Sequence, residues 1–316
     1  MGKVFALCRN EWMKLIRTKS TWAMAIILLV ATFAVGGLLK WQMVDNTDET
    51  NNWKQAVQQD IQQYTAAKQG AEEGSFVYKK AEEQIQIAKQ QLADNNKTVE
   101  QGSFWWSVDS LKSVSSLIIL FGVIMGASIV SSEYTNGTIK LLAIRPVSRG
   151  KILLSKYLTV IGATIVFAIG MLFVSMIASI VYFPYEGTSS YMMINGEVSS
   201  VSPFWGIAKW YVYSFVGVIA YTTISFFIAT LIRSNAMAIG ITMFLLFTSS
   251  TAMTMLYQFD WYKYVLFGHT GFSSYLSINV PFTDIGPLLS LGIVGAYVIA
   301  FYLISYLSFT KRDIAV

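Results

Sequence analysis

The chain is poor in the residues that carry most protein chemistry. Among 316 residues it has one cysteine, Cys8, and one histidine, His269. A single cysteine excludes an intrachain disulfide, and no Cys/His set has the spacing of a zinc site. His269 has no neighbour in sequence suited to nucleophilic or metal chemistry. Only 13% of the residues are charged, where a soluble domain carries about a quarter. No G-x-x-x-x-G-K-[ST] phosphate loop occurs, so the chain does not hold ATP in the usual way. No catalytic, cofactor-binding or metal-binding residue is expected, and the chain is read as a non-enzyme.

What the chain has instead is apolar length. It is 54% hydrophobic, and the apolar residues gather in six runs that meet the roughly 20 residues needed to cross a bilayer as a helix. The expected fold is an all-α integral membrane protein with six spans: 20–39, 111–131, 152–182, 211–232, 236–257 and 285–309. The third is long enough to tilt or to break near Gly170. Ahead of the first lies a leader, 1–19, in which Phe5, Cys8, Trp12 and Leu15 recur at helical spacing. This predicts an amphipathic helix on the membrane surface.

Charge orients the chain. With both termini inside, the inner segments (1–19, 132–151, 233–235 and 310–316, with Lys156 at the adjoining span end) hold thirteen basic residues against three acids. The outer segments, 40–110, 183–210 and 258–284, with Lys112 at the adjoining span end, hold ten basic residues and fifteen acids. The asymmetry predicts cytoplasmic termini and explains the net charge of +5 without nucleic acid. No ionisable residue falls in the centre of a span. Lys156 and Lys209 lie near span ends, where they are expected to snorkel. Carriers driven by protons or ions place titratable groups near the midplane, so this chain is not expected to power transport alone. An intramembrane Ser/His protease is excluded on the same reading, because His269 falls in an external loop.

Segment 40–110 is rich in Gln, Asn, Glu and Lys. Val57, Ile61, Tyr64 and Lys68 share one helical stripe and Val77, Ala81, Ile85, Ala88 and Leu92 another, with Gly70 and Gly74 between them. The pattern predicts an extracytoplasmic helical hairpin, serving either as a contact for substrate or partner or as a solvated spacer. Segment 183–204 is expected to be irregular. Segment 258–284 is aromatic, either as interfacial anchors or as a re-entrant helix near Trp261–Phe267.

The polar island 132–151 is the most distinctive stretch. Gly137 permits a sharp turn, Thr138 suits a helix N-cap, Ile139 and Leu142 lie on one face, and Pro146 ends the segment. Ser148 suits the N-cap of the third span. On composition alone this is either a short cytoplasmic helix or a plain basic loop. The string Glu133-Tyr134-Thr135-Asn136-Gly137-Thr138-Ile139-Lys140, followed by Arg145-Pro146-Val147-Ser148-Arg149, resembles the permease subunits of bacterial type-2 ABC exporters. The leader stretch Arg9-Asn10-Glu11-Trp12-Met13-Lys14-Leu15 is similar to that family's N-terminal connecting helix. Trp261-Tyr262-Lys263-Tyr264 with Ser273-Ser274-Tyr275-Leu276 looks like its last external loop.

The resemblance implies a multi-pass protein of the bacterial plasma membrane and a division of labour. A separate cytoplasmic ABC ATPase would hold ATP and Mg. A second permease subunit, identical or not, would complete the path. Glu133, Gly137, Thr138, Ile139, Lys140, Arg145 and Arg149 would form the ATPase-coupling helix, flanked by Glu11, Lys14 and Arg17 of the leader. Helix packing, within one subunit or between two, is the expectation for Gly122 with Gly126, a G-x-x-x-G, and for Gly292 with Ala296. The uncharged, Phe- and Met-rich spans favour an amphipathic cargo, such as a membrane-active peptide antibiotic, a drug or a lipid, over sodium. The alternative from another class is a membrane sensor or scaffold whose external hairpin binds a ligand.

Overall fold

The computed structural model describes residues 2–44, 53–94, 102–135, 137, 147–185, 190–194, 196–278, 280, 282 and 285–311. Six helical stretches are long and apolar enough to cross a membrane: Lys19–Met43, Phe104–Thr135, Arg149–Tyr182, Pro203–Ile232, Asn235–Leu256 and Pro287–Lys311. They belong to helices α2 (Lys19–Val44), α5 (Phe104–Ser110) continuing through a 3-10 segment into α6 (Ser116–Thr135), α7 (Arg149–Tyr182), α8 (Pro203–Ile232), α9 (Asn235–Leu256) and α10 (Pro287–Lys311). The leader forms α1 (Gly2–Arg17), and α3 (Trp53–Gly70) with α4 (Phe76–Ala93) form a helical hairpin.

Helix α8 is the hub. Two-thirds of its most apolar window is buried, against 11% for α9. The approach of α6 to α8 is close because Gly122 and Gly126 present no side chain there. A Cβ on Gly126 would lie 2.8 Å from the Thr222 carbonyl, and one on Gly122 would collide with the Thr222 hydroxyl. Ser225 uses the proximity to donate across to the Val123 carbonyl at 2.6 Å. The G-x-x-x-G therefore packs two helices of one chain. Gly292 has nothing within 4 Å of the side chain it lacks, and Ala296 is exposed, so that pair meets no helix among the described residues.

Helix α7 runs unbroken for 34 residues through Gly170. At about 1.5 Å per residue, it is about 20 Å longer than a 30 Å hydrocarbon core and α8 about 15 Å longer. The 3-10 stretch Leu111–Ser115 interrupts the second apolar stretch near the end that carries the α3–α4 hairpin. We call this the hairpin end and the opposite one the leader end.

Segment 183–204 is not irregular throughout. Strands β1 (Ser190–Ile194) and β2 (Glu197–Val201) pair antiparallel, Ile194 opposite Glu197. The dipeptide Asn195-Gly196 is a two-residue hairpin signal in the sequence. Helix α4 spans the hairpin end. Ser75 caps it by accepting from the Tyr78 N–H at 3.2 Å. Near this start the Phe76 ring meets Tyr275 edge-on at 5.3 Å. Just beyond the other end the Tyr191 hydroxyl of β1 donates to Asp94 at 2.8 Å.

The aromatic segment after α9 folds back into the bundle as three 3-10 turns, Asp260–Tyr264, Leu266–His269 and Phe272–Leu276, where a single helix near Trp261–Phe267 was one expectation. The Thr270 carbonyl lies where a Cβ on Gly217 would be, fourteen residues and about 21 Å along α8 from Pro203. Only glycine admits that approach.

Candidate functional site

The leader packs along the bundle, against α7. Val4, Leu7, Cys8, Glu11, Trp12 and Leu15 turn toward the bundle, while Phe5 is 75% exposed. Trp12 and Leu15 pack on the main apolar core, and the Cys8 carbonyl lies 3.4 Å from the Thr159 hydroxyl of α7. The periodicity was legible; what it packs against is α7.

At this junction four ionisable side chains close a ring. Lys156 of α7 donates to Glu11 of α1 at 2.7 Å and to Glu133 of α6 at 2.8 Å. Lys14 of α1 reaches the same two carboxylates, each at 3.0 Å. Acid and base alternate around the ring and the formal charges cancel. Lys156 is 2% exposed, Glu11 6% and Glu133 8%, whereas half of the Lys14 side chain remains accessible. The ring thus has a dry side at Lys156 and a wet corner at Lys14. Burial alone would lower the Lys14 ammonium, but the hydrogen bonds and negative charges of Glu11 and Glu133 outweigh it and hold it above its usual value.

The ring forms because each helix brings its charge to one level. Glu11 and Lys14 share a face of α1 at i, i+3 spacing. Glu133 lies in the last turn of α6 and Lys156 seven residues into α7, about 10 Å from its start. Lys156 therefore does not snorkel. A snorkelling lysine ends in water; this one ends on two buried carboxylates. It was absent from the sequence-derived candidates. Its signal was a lysine lying beyond the Arg149–Lys151 interface pair, with two lone acids, Glu11 and Glu133, on an otherwise basic face.

The residue after Glu133 is held from the other side. Arg233 lies over the Tyr134 ring at 4.9 Å. Arg233 and Ser234 alone join α8 to α9, and Arg233 takes a left-handed conformation, φ 60°, which costs an L residue about 1–2 kcal/mol. The base of the island is thus attached to α1, α7 and the α8–α9 turn. Beyond it, Gly137 has φ +67°, the conformation expected of a turn glycine there. Thr138, Ile139, Lys140 and Arg145 lie outside the described residues. Arg149 begins α7 after Ser148, whose backbone is that of an N-cap though its side chain makes no capping bond. Arg17 ends α1 exposed and has no part in the ring.

The hairpin end holds a second buried polar group. His269 is fully buried, with Nδ1 2.8 Å from the Ser290 hydroxyl of α10 and Nε2 2.8 Å from the Lys263 carbonyl. A carbonyl only accepts, so Nε2 carries the proton and Nδ1 accepts from Ser290. Burial pushes the imidazole below its ordinary value, opposed in part by the Lys263 carbonyl. The pair is geometrically a base and a hydroxyl, but both residues are 0% exposed. It fastens the re-entrant segment to α10. Among the described residues no His, Cys, Asp and Glu group could hold a metal ion.

Two proteins of Bacillus subtilis (strain 168) are similar to this chain. "Uncharacterized protein YhcI" is 28% identical over 314 residues, 98% of this chain and 99% of its own length. "Uncharacterized membrane protein YdbK" is 26% identical over 208 residues, 65% of this chain and 80% of its own. The family described as "Protein of unknown function (DUF2705)" matches residues 75–315.

Proposed function

The chain belongs to the DUF2705 family, and we propose that it serves as the membrane-spanning permease subunit of an ATP-driven ABC exporter. The observation that carries this reading is the ionic ring. The leader stretch containing Glu11 and Lys14 and the island string beginning at Glu133 are the two inner parts of the resemblance, and their charged residues meet in one buried site. In this reading the leader end is cytoplasmic. A separate ABC ATPase, holding ATP and Mg, docks on the island at Gly137, Thr138, Ile139, Lys140 and Arg145. A second permease subunit completes the path through the bacterial plasma membrane. Closure of the ATPase pair moves the island, and the helices attached to its base rock as rigid bodies. The cargo is amphipathic: a membrane-active peptide, a drug or a lipid.

The test is purification of the chain from its own membranes. An ATPase subunit should accompany it, and Lys140→Glu with Arg145→Glu should weaken the complex or uncouple ATP hydrolysis. Unchanged assembly and transport in that double variant would remove the island from the mechanism.

The ring also favours a second reading. A buried lysine shared by two carboxylates is the type of group that ion-coupled carriers use, and it narrows the case against a self-powered carrier, since charge is buried at the leader end though not at mid-span. Uphill flux in liposomes containing this chain alone, driven by a proton gradient without nucleotide, would establish that reading in place of the first.

A further inference from the structure

We propose that Lys156 is a positioning residue: it pins α1 to the base of the island through Glu11 and Glu133, so that the leader and the island present one rigid surface to whatever drives them. The pinning follows from the geometry alone, and its use in coupling rests on the permease reading.

Three observations carry the pin. First, Lys156 is the only member of the ring on α7, and it bonds to one acid from each of the two other helices. Glu11 lies 145 residues from it in sequence and Glu133 lies 23. Second, two other polar ties of α1 to α7 among the described residues are weaker: the Cys8 thiol lies 3.7 Å from the Ser155 carbonyl, and the Thr159 hydroxyl, bonded at 2.7 Å to the Ser155 carbonyl of its own helix, lies 3.4 Å from the Cys8 carbonyl. Third, the ring loses its charge balance when any single member is removed. Removing the lysine leaves two carboxylates facing one half-exposed ammonium, and an uncompensated charge in a buried site drives its helix away. A lysine kept for packing alone would tolerate a neutral side chain of similar volume. This one leaves Glu11 and Glu133 as like charges in a common site.

The chain beyond Glu133 transmits the constraint. Glu133 and Tyr134 sit on the last turn of α6, where Lys156 holds one and Arg233 covers the other. A displacement applied to the island therefore reaches α1, α7 and the α8–α9 turn together, provided the ring is closed. With the ring open, α1 and the island move separately.

The experiment uses the full chain in detergent with the ATPase that accompanies it, as wild type, Lys156→Met, Lys14→Ala, and Lys156→Met combined with Glu11→Gln. Two quantities are read: hydrogen exchange of the α1 amides, and ATP hydrolysis per assembled complex. Lys156→Met should raise exchange across α1 at least tenfold while the α6–α8 contact around Gly126 and Thr222 changes less than twofold. Its ATP hydrolysis per complex should fall to that of the ATPase alone. Adding Glu11→Gln leaves one neutral Lys14–Glu133 pair and should recover part of the exchange protection, a coupling that independent sites would not show.

Lys14→Ala opens only the wet corner. It should loosen α1 about threefold, and it carries the test with the same readouts if Lys156→Met does not accumulate. Unchanged exchange in α1, or a double variant looser than the single one, overturns the pin. Loosened exchange with unaltered hydrolysis per complex makes Lys156 an anchor without a role in coupling, and overturns the positioning claim. If no ATPase accompanies the wild type, the permease reading fails and takes the coupling role with it, while the exchange data still decide whether the ring pins α1.

Discussion

Each end of the bundle fastens a non-spanning segment to the spans, and the two ends do it by opposite means. At the leader end α1 is held by four formal charges whose balance is lost when any one is removed. At the hairpin end the re-entrant segment is held without formal charge, by a neutral imidazole with both nitrogens in use and by a glycine that lets Thr270 touch α8. Buried ion pairs are poor sources of net stability, yet breaking one is costly. A charged fastening is therefore suited to a joint that must be either closed or open, and a neutral, tightly packed one to a part that stays in place.

The largest expected effect breaks the charged side of this comparison. Lys156→Met should destabilise the protein by about 3–5 kcal/mol, the usual cost of stranding buried partners, measured as a fall in the thermal midpoint of the purified chain. A loss below about 1 kcal/mol would mean that water already reaches the ring. Next comes packing at the other end. Gly217→Ala should cost about 1–3 kcal/mol, because the new methyl group meets the Thr270 backbone, and should raise proteolysis between α9 and α10.

Ser290→Ala should cost about 1–2 kcal/mol by leaving Nδ1 of His269 without its donor. The pH profile sharpens the contrast. Because burial lowers the His269 value, its contribution is fully present above the unfolded value of about 6.5 and is lost as pH falls below it, since the unfolded imidazole takes up a proton that the buried one resists. His269→Gln should flatten the midpoint between about pH 6.5 and 5. A wild-type midpoint that does not fall over that range would show that the buried imidazole is not held neutral. The smallest effect is at the far side of the hairpin. Tyr191→Phe removes one partly accessible bond to Asp94 and should cost about 0.5–1 kcal/mol, read as faster exchange at the end of α4 with the spans unaltered.

Much of this architecture can be read from residue order. The six apolar runs, the helical hairpin with its seam at Val57, Val77, Ala81 and Ala88, and the close approach at Gly122 and Gly126 all follow from local period and length. Glu11, Lys14 and Glu133 were identified as candidates through stretches that resemble a known family, without any sign that they touch. Lys156 was read as snorkelling because its position near a span end permits that conformation, and its two acceptors lie on other helices. His269 was placed in an external loop because no apolar run contains it. The segment enters the bundle through 3-10 turns and a glycine contact, and neither has a hydrophobic period.

Sequence by itself determined how many times the chain can cross a membrane, because that depends on how many consecutive residues are apolar, and it set the leader's helical face, which depends on spacing within a few turns. Tertiary structure alone decided which charges meet. Whether Lys156 ends in water or on Glu11 depends on bringing together positions 145 residues apart, and the desolvation that makes such a contact matter exists only once the helices have closed around it.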